Sequence, residues 1–474
     1  MASRKVHKDN SPDGLGQGAV SKADDGKKPR FFDPLEVYKL DLSAPPYLPA
    51  IDEIVEKLTN PEGRDLVPGV AVAVRRDNEI VHLKCYGYAN LETRSKITLE
   101  TIFDLGSLSK QFTAFAIMYL IHFENKLNLD DHLSKFFNNF PRYSDAITVE
   151  DLLHHTSALP DYAKLHVESR RIEADWYDSA LANPDDWYPE MLYRTRKEVT
   201  NKDVLRWIAS QTLLAVDPDT KMDYSNSGYV VLAELVQRVT KKRLAQYLKQ
   251  ILLRDVFMND TYVFDERSRF ANDAREIVNH AKCYNHVKGR GFVPVGYTPL
   301  NFIFGDGNVH STILDLLRWE THLYSNEFWA LVDPEFFAQA GFKNFSEYLW
   351  TPGRVKNGRR VDYGAGWNLQ REKYERVIKV KGKEVTRRYE SLAKYHRGEW
   401  LGWRHYWARA AKWGVPQAGK HVDPETFAGL SIIVLSNAEF GDQQFTTCSI
   451  AQEISKTIWR GKDNIMRDFN CANG

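Results

Sequence analysis

The chain has 474 residues, with 64 Lys and Arg against 63 Asp and Glu, and four cysteines. That length supports a large buried core and two or three domains or one interrupted domain, which excludes a small stapled scaffold. A formal charge of +1 provides no global field to recruit nucleic acid or an anionic membrane, so the expected partner is a small-molecule or peptide substrate. Cys85, Cys283, Cys448 and Cys471 are scattered with no C-x-x-C pair. Neither a zinc site nor a disulfide framework is therefore expected, and reduced thiols are the simplest reading.

In chain order, the opening MASRKVHKDNSPDGLGQGAVSKADDGKKPR is polar and charged and holds no apolar stretch of secretory type. It predicts a disordered tail over residues 1–35 and a cytoplasmic protein. PAIDEIVEKLTN at 49–60 has the apolar spacing of an amphipathic helix, and GVAVAVRRDNEIVHLKCYGYAN at 69–90 predicts two strands around a polar turn at Arg76–Asn78. The longest apolar stretch, FTAFAIMYLIHF at 112–123, is helical in period but falls short of the about 20 residues that a membrane crossing needs. Helical periods continue in VEDLLHH, NKDVLRWIASQ and YVVLAELVQRVTKKRLAQYLKQIL. Among them, residues 161–200 carry Trp176, Tyr177, Trp187, Tyr188 and Tyr193 between acids, arginines and prolines. This segment reads either as an excursion covering a cleft or as a surface elaboration packing its own aromatics. Strands return in ERVIKVKGKEVTRRYE, a charged hairpin, and in FAGLSIIVLSNAE, a buried strand, before a closing helix through SIAQEISKTIW. No repeat is apparent. The pattern predicts an α/β domain built from 36–105 and 300–474 and interrupted by a mainly helical domain, 106–299.

Phe103-Asp104-Leu105-Gly106-Ser107-Leu108-Ser109-Lys110 stands directly before the long helical pattern. With Ser107 in the first turn, Lys110 falls at i+3 on the same face, so a hydroxyl and an amine can meet. The helix head adds unpaired N–H groups and a positive dipole end, which favour the negative charge that grows on an attacked carbonyl. For the amine to take a proton it must be desolvated and set near other cations. A second S-x-x-K match, Ser391-Leu392-Ala393-Lys394, lies between a charged hairpin and a Gly-containing strand. The strong helix behind Ser107 and the turn-forming Gly106 before it favour Ser107, whose plain alternative is a helix-capping serine.

Two further motifs follow: Tyr224-Ser225-Asn226 inside PDTKMDYSNSGYVVLAELV, and His396-Arg397-Gly398 inside YHRGEWLGWRHYW. With the G-S-x-S-K-x-F setting of Ser107, and in this order, they resemble the signature of the serine β-lactamase-like and penicillin-binding protein superfamily. The resemblance is to its class C β-lactamases, family VIII carboxylesterases and D-amino-acid peptidases. ITVEDLLHHTSALPDY at 147–162, GDGNVHSTILDLLRW at 305–319 and DYGAGWNL at 362–369 are similar to the same superfamily, so the resemblance runs from about 65 to 460. A second Y-S-N, at Tyr324-Ser325-Asn326, falls out of the family's order. The resemblance implies an antiparallel sheet flanked by N- and C-terminal helices, with an all-helical insertion.

It also implies Ser107 as the nucleophile of an acyl-enzyme, Lys110 and Tyr224 as general base and acid, and Asn226 as a holder of the substrate carbonyl or the lysine amine. The third motif would edge the cleft, where Gly398 admits close backbone approach and the Glu399 N–H joins that of Ser107 as an oxyanion hole. His396 stands where penicillin-binding enzymes commonly carry lysine and many esterase-like relatives histidine. That favours an esterase or D-amino-acid peptidase-like activity over strong β-lactam recognition. Arg404 is a candidate for carboxylate binding or for a surface salt bridge, and Ser109 and Ser227 are expected as supporting hydroxyls. An acyltransferase or peptide cyclase using the same acyl-enzyme, a weak β-lactamase and a non-catalytic binding protein are the alternatives. No cofactor or metal is expected, since the adjacent His154 and His155 point different ways in a helix and lack a third ligand. Lys241-Lys242-Arg243 reads as a solvated helix face.

Overall fold

The computed structural model describes residues 33, 35, 40–77, 79–163, 199–211, 214–253, 256–264, 279–295, 302–324, 349–380, 383–411, 429–440, 446–458 and 471. Most of the expected tail and of the 161–200 excursion lies outside these residues, although Asp33 is held by Arg318 at 2.8 Å.

Helix α1, Pro49–Thr59, begins on a proline that needs no N–H partner there, and buries Ile51, Val55 and Thr59 one turn apart. Strands β1, Val70–Arg76, and β2, Glu79–Tyr86, form the expected hairpin. A short strand β3, Phe103–Asp104, then leads through one 3-10 turn, Gly106–Ser109, into helix α2, Lys110–His122. Helices α3, Val149–Leu153, and α4, Asn201–Ser210, both start at capping-box threonines, Thr148 and Thr200. Helix α5 runs Asn226–Thr240. The sequence pattern runs on without a break, but Lys241 takes a left-handed conformation at φ 61 and its N–H closes on the Gln237 carbonyl. That cap ends the helix, and the chain resumes helically only at Leu244.

Strands β4, Tyr262–Val263, and β5, Val309–Ser311, complete a small sheet in the order β3-β5-β4. After helix α6, Ile313–Tyr324, come the long strands β6, Asn368–Val380, and β7, Lys383–Trp400, then β8, Trp403–Ala411, β9, Gly429–Ser436, and helix α7, Thr446–Ile458. The main sheet is antiparallel throughout, in the order β6-β7-β8-β9-β1-β2.

Its central strands are covered on both faces, and the period of two divides their side chains between two cores. Val70, Val72, Val74, Ile432 and Val434 pack with Ile51 and Val55 of α1 and Ile450 and Ile454 of α7. Ala71, Ala73, Ile433, Leu435 and Trp407 face the other way, into the larger core that holds α2, α5 and α6. Burial on both sides explains why Gly429–Ser436 is enclosed at every position and reads as a nearly continuous apolar run with Ser431 inside it. The fold is thus α/β, an antiparallel sheet flanked by the N- and C-terminal helices with helices on its other face. No helix among the described residues is long and apolar enough to cross a membrane.

The expectation of four reduced thiols is corrected: Cys448 and Cys471 form a disulfide, and Cys85 and Cys283 are free. Spacing gave no warning, because the bond fastens a buried position of α7 to a residue 23 positions on rather than closing a local motif. Disulfides persist in oxidising surroundings, so cysteine usage no longer argues for a reducing compartment. Opening the bond with reductant, or Cys471→Ser, is expected to lower stability by about 3 kcal/mol through loop-closure entropy, read as a lower denaturation midpoint.

One ion cluster joins α6 to the sheet. Glu320 is 1 % exposed, and its carboxylate accepts from Arg409 of β8 at 2.7 Å with Arg75 of β1 at 4.0 Å. Burial alone would raise the Glu320 carboxyl, but Arg75 and Arg409 hold it below its ordinary value. Its contribution is therefore present above the usual carboxylate range and lost as falling pH protonates the folded state. Glu320→Gln removes the negative charge between two buried guanidinium groups and is expected to cost about 3–5 kcal/mol in urea unfolding at pH 7. The difference should shrink in acid.

Candidate active site

Ser107 sits in the 3-10 turn rather than in the first turn of an α-helix. The spacing works all the same, because a 3-10 turn has three residues and sets position i+3 directly over position i. Lys110 is fully buried, and its Nζ lies 3.1 Å from Ser107 Oγ, 2.7 Å from Asn226 Oδ1 and 3.0 Å from the Asp306 carbonyl oxygen. The last two are carbonyl oxygens, which only accept. Two N–H bonds and the Cε bond thus occupy three of the four tetrahedral directions of the nitrogen, and the remaining one is turned to the serine hydroxyl.

The orientation of the Asn226 amide follows from its other side. Its Nδ2 donates to both oxygens of Asp161, at 3.1 and 3.3 Å, so Oδ1 must face Lys110. Asp306 has a double part: its backbone carbonyl receives the lysine, while its carboxylate accepts the Tyr162 hydroxyl at 2.7 Å. Burial raises the Asp306 carboxyl, against the pull of Lys110 and Tyr162, and burial with Asp306 drives the Tyr162 phenol well above its ordinary value. Ser227 Oγ accepts the Tyr162 N–H and Ser109 Oγ accepts the Val309 N–H, both in the supporting places expected of them.

Tyr224 lies in the extended approach to α5, just before Asn226 opens the helix. The Lys110 Nζ stands 4.9 Å from its ring centre. His155 packs against that ring at 4.2 Å and receives the Ser225 N–H on Nδ1 at 3.2 Å, so its proton sits on Nε2. Burial, then the charge of Lys110, holds His155 well below the ordinary histidine value. Neutral and buried, it packs against the tyrosine from behind.

His396 is 3 % exposed and its ring centre is 6.3 Å from that of Tyr224. Its Nδ1 lies 2.6 Å from the Arg397 carbonyl, which can only accept, so Nδ1 carries the hydrogen and Nε2 accepts from the Tyr363 hydroxyl at 3.0 Å. Burial and Lys110 push it down to about 3, so it brings no positive charge to the cleft.

The next two residues approach Ser107 by backbone. A Cβ at Gly398 would lie 2.2 Å from the Leu105 carbonyl oxygen, and one at Gly106 would lie 2.8 Å from the Glu399 nitrogen. Gly106 has φ +50, a left-handed conformation that suits glycine. Strand β7 therefore lies directly on the turn that carries Ser107. A cavity of about 170 Å³ opens here, walled by Ser107, Tyr162, Asn226, Asp306, Glu399 and Trp400. A larger one of about 430 Å³, beside Phe137, Phe140, Lys202 and Arg238, holds no nucleophile and no acid–base pair, so size does not mark the site.

Ser107, Lys110, Tyr224, Asn226, Gly398 and Glu399 are thus brought together, with His396 behind them. Arg404 is not: it pairs with Glu439 at 2.7 Å, donates to the Leu401 and Trp403 carbonyls, and is absent from the cavity wall. The second S-x-x-K match lies inside strand β7, and Tyr324 ends helix α6, neither at a helix head. Sequence reasoning missed Asp161, Tyr162, Asp306, His155 and Tyr363, although each lies within or beside a segment that carried the resemblance. Among the described residues no group of three or more histidines, cysteines or acids is placed to hold a metal ion.

Residues 51–453 match the family described as Beta-lactamase. Penicillin-binding protein 4* of Bacillus subtilis (strain 168) is 28% identical over 304 residues, 63% of this chain and 59% of that protein. A D-aminopeptidase of Brucella anthropi is 26% identical over 343 residues, 71% of this chain and 52% of its own length. The chain therefore spans only about half to three-fifths of these relatives. Among solved structures, an octameric penicillin-binding protein homologue from Pyrococcus abyssi superposes with a TM-score of 0.57 at 23% identity, covering 86% of this chain and 77% of that one. The D-amino acid amidase of Ochrobactrum anthropi SV3 does so at 0.58 and 20% identity, covering 86% and 97%. These likenesses show a common fold. By the family match across most of its length, the chain belongs to the Beta-lactamase family, within the serine β-lactamase-like and penicillin-binding protein superfamily.

Proposed function

We propose that this protein is a serine hydrolase that cleaves an ester or amide through a covalent acyl-enzyme. The observation that carries the reading is the Lys110 amine, tied to two carbonyl oxygens and aimed at Ser107 Oγ from 3.1 Å on the wall of an open cavity. Ser107 attacks the substrate carbonyl as its proton passes to the Lys110 and Tyr224 pair. The oxyanion is met by the N–H groups of Ser107 and Glu399. The proton is then delivered to the departing alcohol or amine, and water repeats the sequence to release the acid.

A neutral His396, in place of a lysine, removes one attraction for a substrate carboxylate and supports an esterase or D-amino-acid peptidase-like activity over a β-lactamase. The D-aminopeptidase relative supports the same choice. A cavity of about 170 Å³ is small beside the roughly 300 Å³ at which drug-sized sites begin, which supports a small acyl group.

The test is labelling with a fluorophosphonate followed by mass mapping, alongside turnover of a p-nitrophenyl ester with and without an added amine. An adduct on Ser107 and free acid as product are expected. An adduct elsewhere in a turning-over enzyme would refute the nucleophile, and an amide product would assign acyl transfer instead. Ser107→Ala should abolish labelling while melting like the wild type; Lys110→Ala should abolish labelling as well, with a lower melting temperature because the buried Asn226 and Asp306 carbonyls lose their donor, and Ser391→Ala should label normally. Gly398→Ala, which forces β7 off the nucleophile turn, is expected to lower kcat about 100-fold with far less effect on KM.

A further inference from the structure

Beneath the nucleophile turn lies a buried polar cluster that the proposed chemistry does not use. Asp104 and His310 are direct cross-strand partners in β3 and β5, and Tyr262 of β4 pairs with His310 on the far side. Asp104 Oδ1 accepts the Gly106 N–H at 3.0 Å, one residue before Ser107, and its Oδ2 lies 4.0 Å from His310 Nε2. Asp104 and His310 are 4 % and 6 % exposed.

The hydrogens of this cluster follow from its acceptors. The Ala281 carbonyl lies 2.8 Å from His280 Nδ1, so that nitrogen carries a hydrogen and a neutral His280 is bare at Nε2. His280 Nε2 lies 2.8 Å from His310 Nδ1, so the hydrogen between them belongs to His310. His310 is then bare at Nε2, which is buried and has no hydrogen-bond partner. What faces it is the carboxyl of Asp104, and two bare acceptors do not attract.

We propose that Asp104 works as a neutral carboxylic acid, its proton on Oδ2 and directed to His310 Nε2, and that in this form it positions Ser107 through the Gly106 N–H. The proposal rests on Ser107 being the nucleophile. Loss of the proton puts an anion against a bare imidazole nitrogen, which turns the carboxylate away and frees a glycine held at φ +50.

Among the described residues around Asp104 no cation opposes this. His405 receives the Ser436 N–H on Nδ1 and donates from Nε2 to the Asp104 carbonyl at 2.6 Å. Tyr262 stacks on His310 at 5.2 Å, Cys283 is buried, and Arg404 is committed to Glu439. Burial pushes the Asp104 carboxyl up to about 6, against the Gly106 N–H and any charge on His280. Burial also holds His280 and His405 at about 4 and His310 at about 3, so all three are neutral where Asp104 titrates.

Asparagine copies a protonated aspartate, offering one acceptor to Gly106 and one donor to His310; alanine offers neither. The experiment compares wild type, Asp104→Asn and Asp104→Ala from pH 5 to 8, by pre-steady-state acylation with a p-nitrophenyl ester and by melting temperature. At pH 5.5 the Asn variant should acylate within about threefold of wild type, and the Ala variant about tenfold slower with KM little changed. The Asn to wild-type rate ratio should rise with pH as wild-type Asp104 loses its proton. A raised folded value means that the stability Asp104 confers is complete below its unfolded value and lost as pH climbs through the folded one. The melting temperature of the Asn variant should accordingly gain on wild type between pH 5 and 7. An Asn variant as slow as Ala at every pH, or a flat or falling difference in melting temperature, would overturn the proposal. If wild type forms no ester adduct on Ser107, the proposed function fails, while the melting comparison still reports whether Asp104 is neutral.

Discussion

An amine enclosed completely by protein is the constraint on which the rest of this site depends. Taking Lys110 out of water is costly, and the cost is offset only if each of its hydrogens finds an acceptor. The chain meets that demand from two distant segments, the start of α5 through Asn226 and the Asp306 carbonyl before β5, while Ser107 of the lysine's own turn stands at the remaining direction. Each acceptor is fixed in turn, Asn226 by Asp161 and the Asp306 segment by Tyr162. The lysine is therefore a joint as well as the proposed proton carrier. The same contacts that aim it at Ser107 hold the helical side of the cleft together.

The opposite wall is made by backbone. Strand β7 reaches the nucleophile turn only because positions 106 and 398 lack a Cβ, and the register of β7 with β8 fixes which N–H arrives there. One wall is thus a chain of side-chain hydrogen bonds and the other a sheet edge set by strand pairing. Precision at such a centre requires both.

Much of this could be read from the residues. The alternation of Val70 to Val74, the proline and apolar spacing of α1, and the Ile432–Leu435 run of β9 are direct signatures of their elements, because local sterics and burial period dictate them. Ser107 and Lys110 were legible as a pair, since their spacing has meaning within a single turn. Asp161 and Asp306 were not: their importance lies in contacts with residues far along the chain, and an acid beside a proline or a glycine looks like any loop acid. Arg404 misled because a cation near a motif looks available, whereas Glu439 and two carbonyls occupy it. The disulfide was hidden for a similar reason, as long-range closure leaves no local spacing.

The middle of the sheet carries a consequence for how the molecule comes into being. Strand β1 lies between β2 and β9, so Val70 pairs with Ser436, and the helices that cover that face come from opposite ends of the fold. A nascent chain cannot complete this centre until β9 has left the ribosome. Until then the β1–β2 hairpin presents an unpaired apolar edge, and such long-range pairing folds slowly and invites association with other chains. The Ser107 turn packs on strands of this sheet, so its final geometry waits on the same long-range pairing.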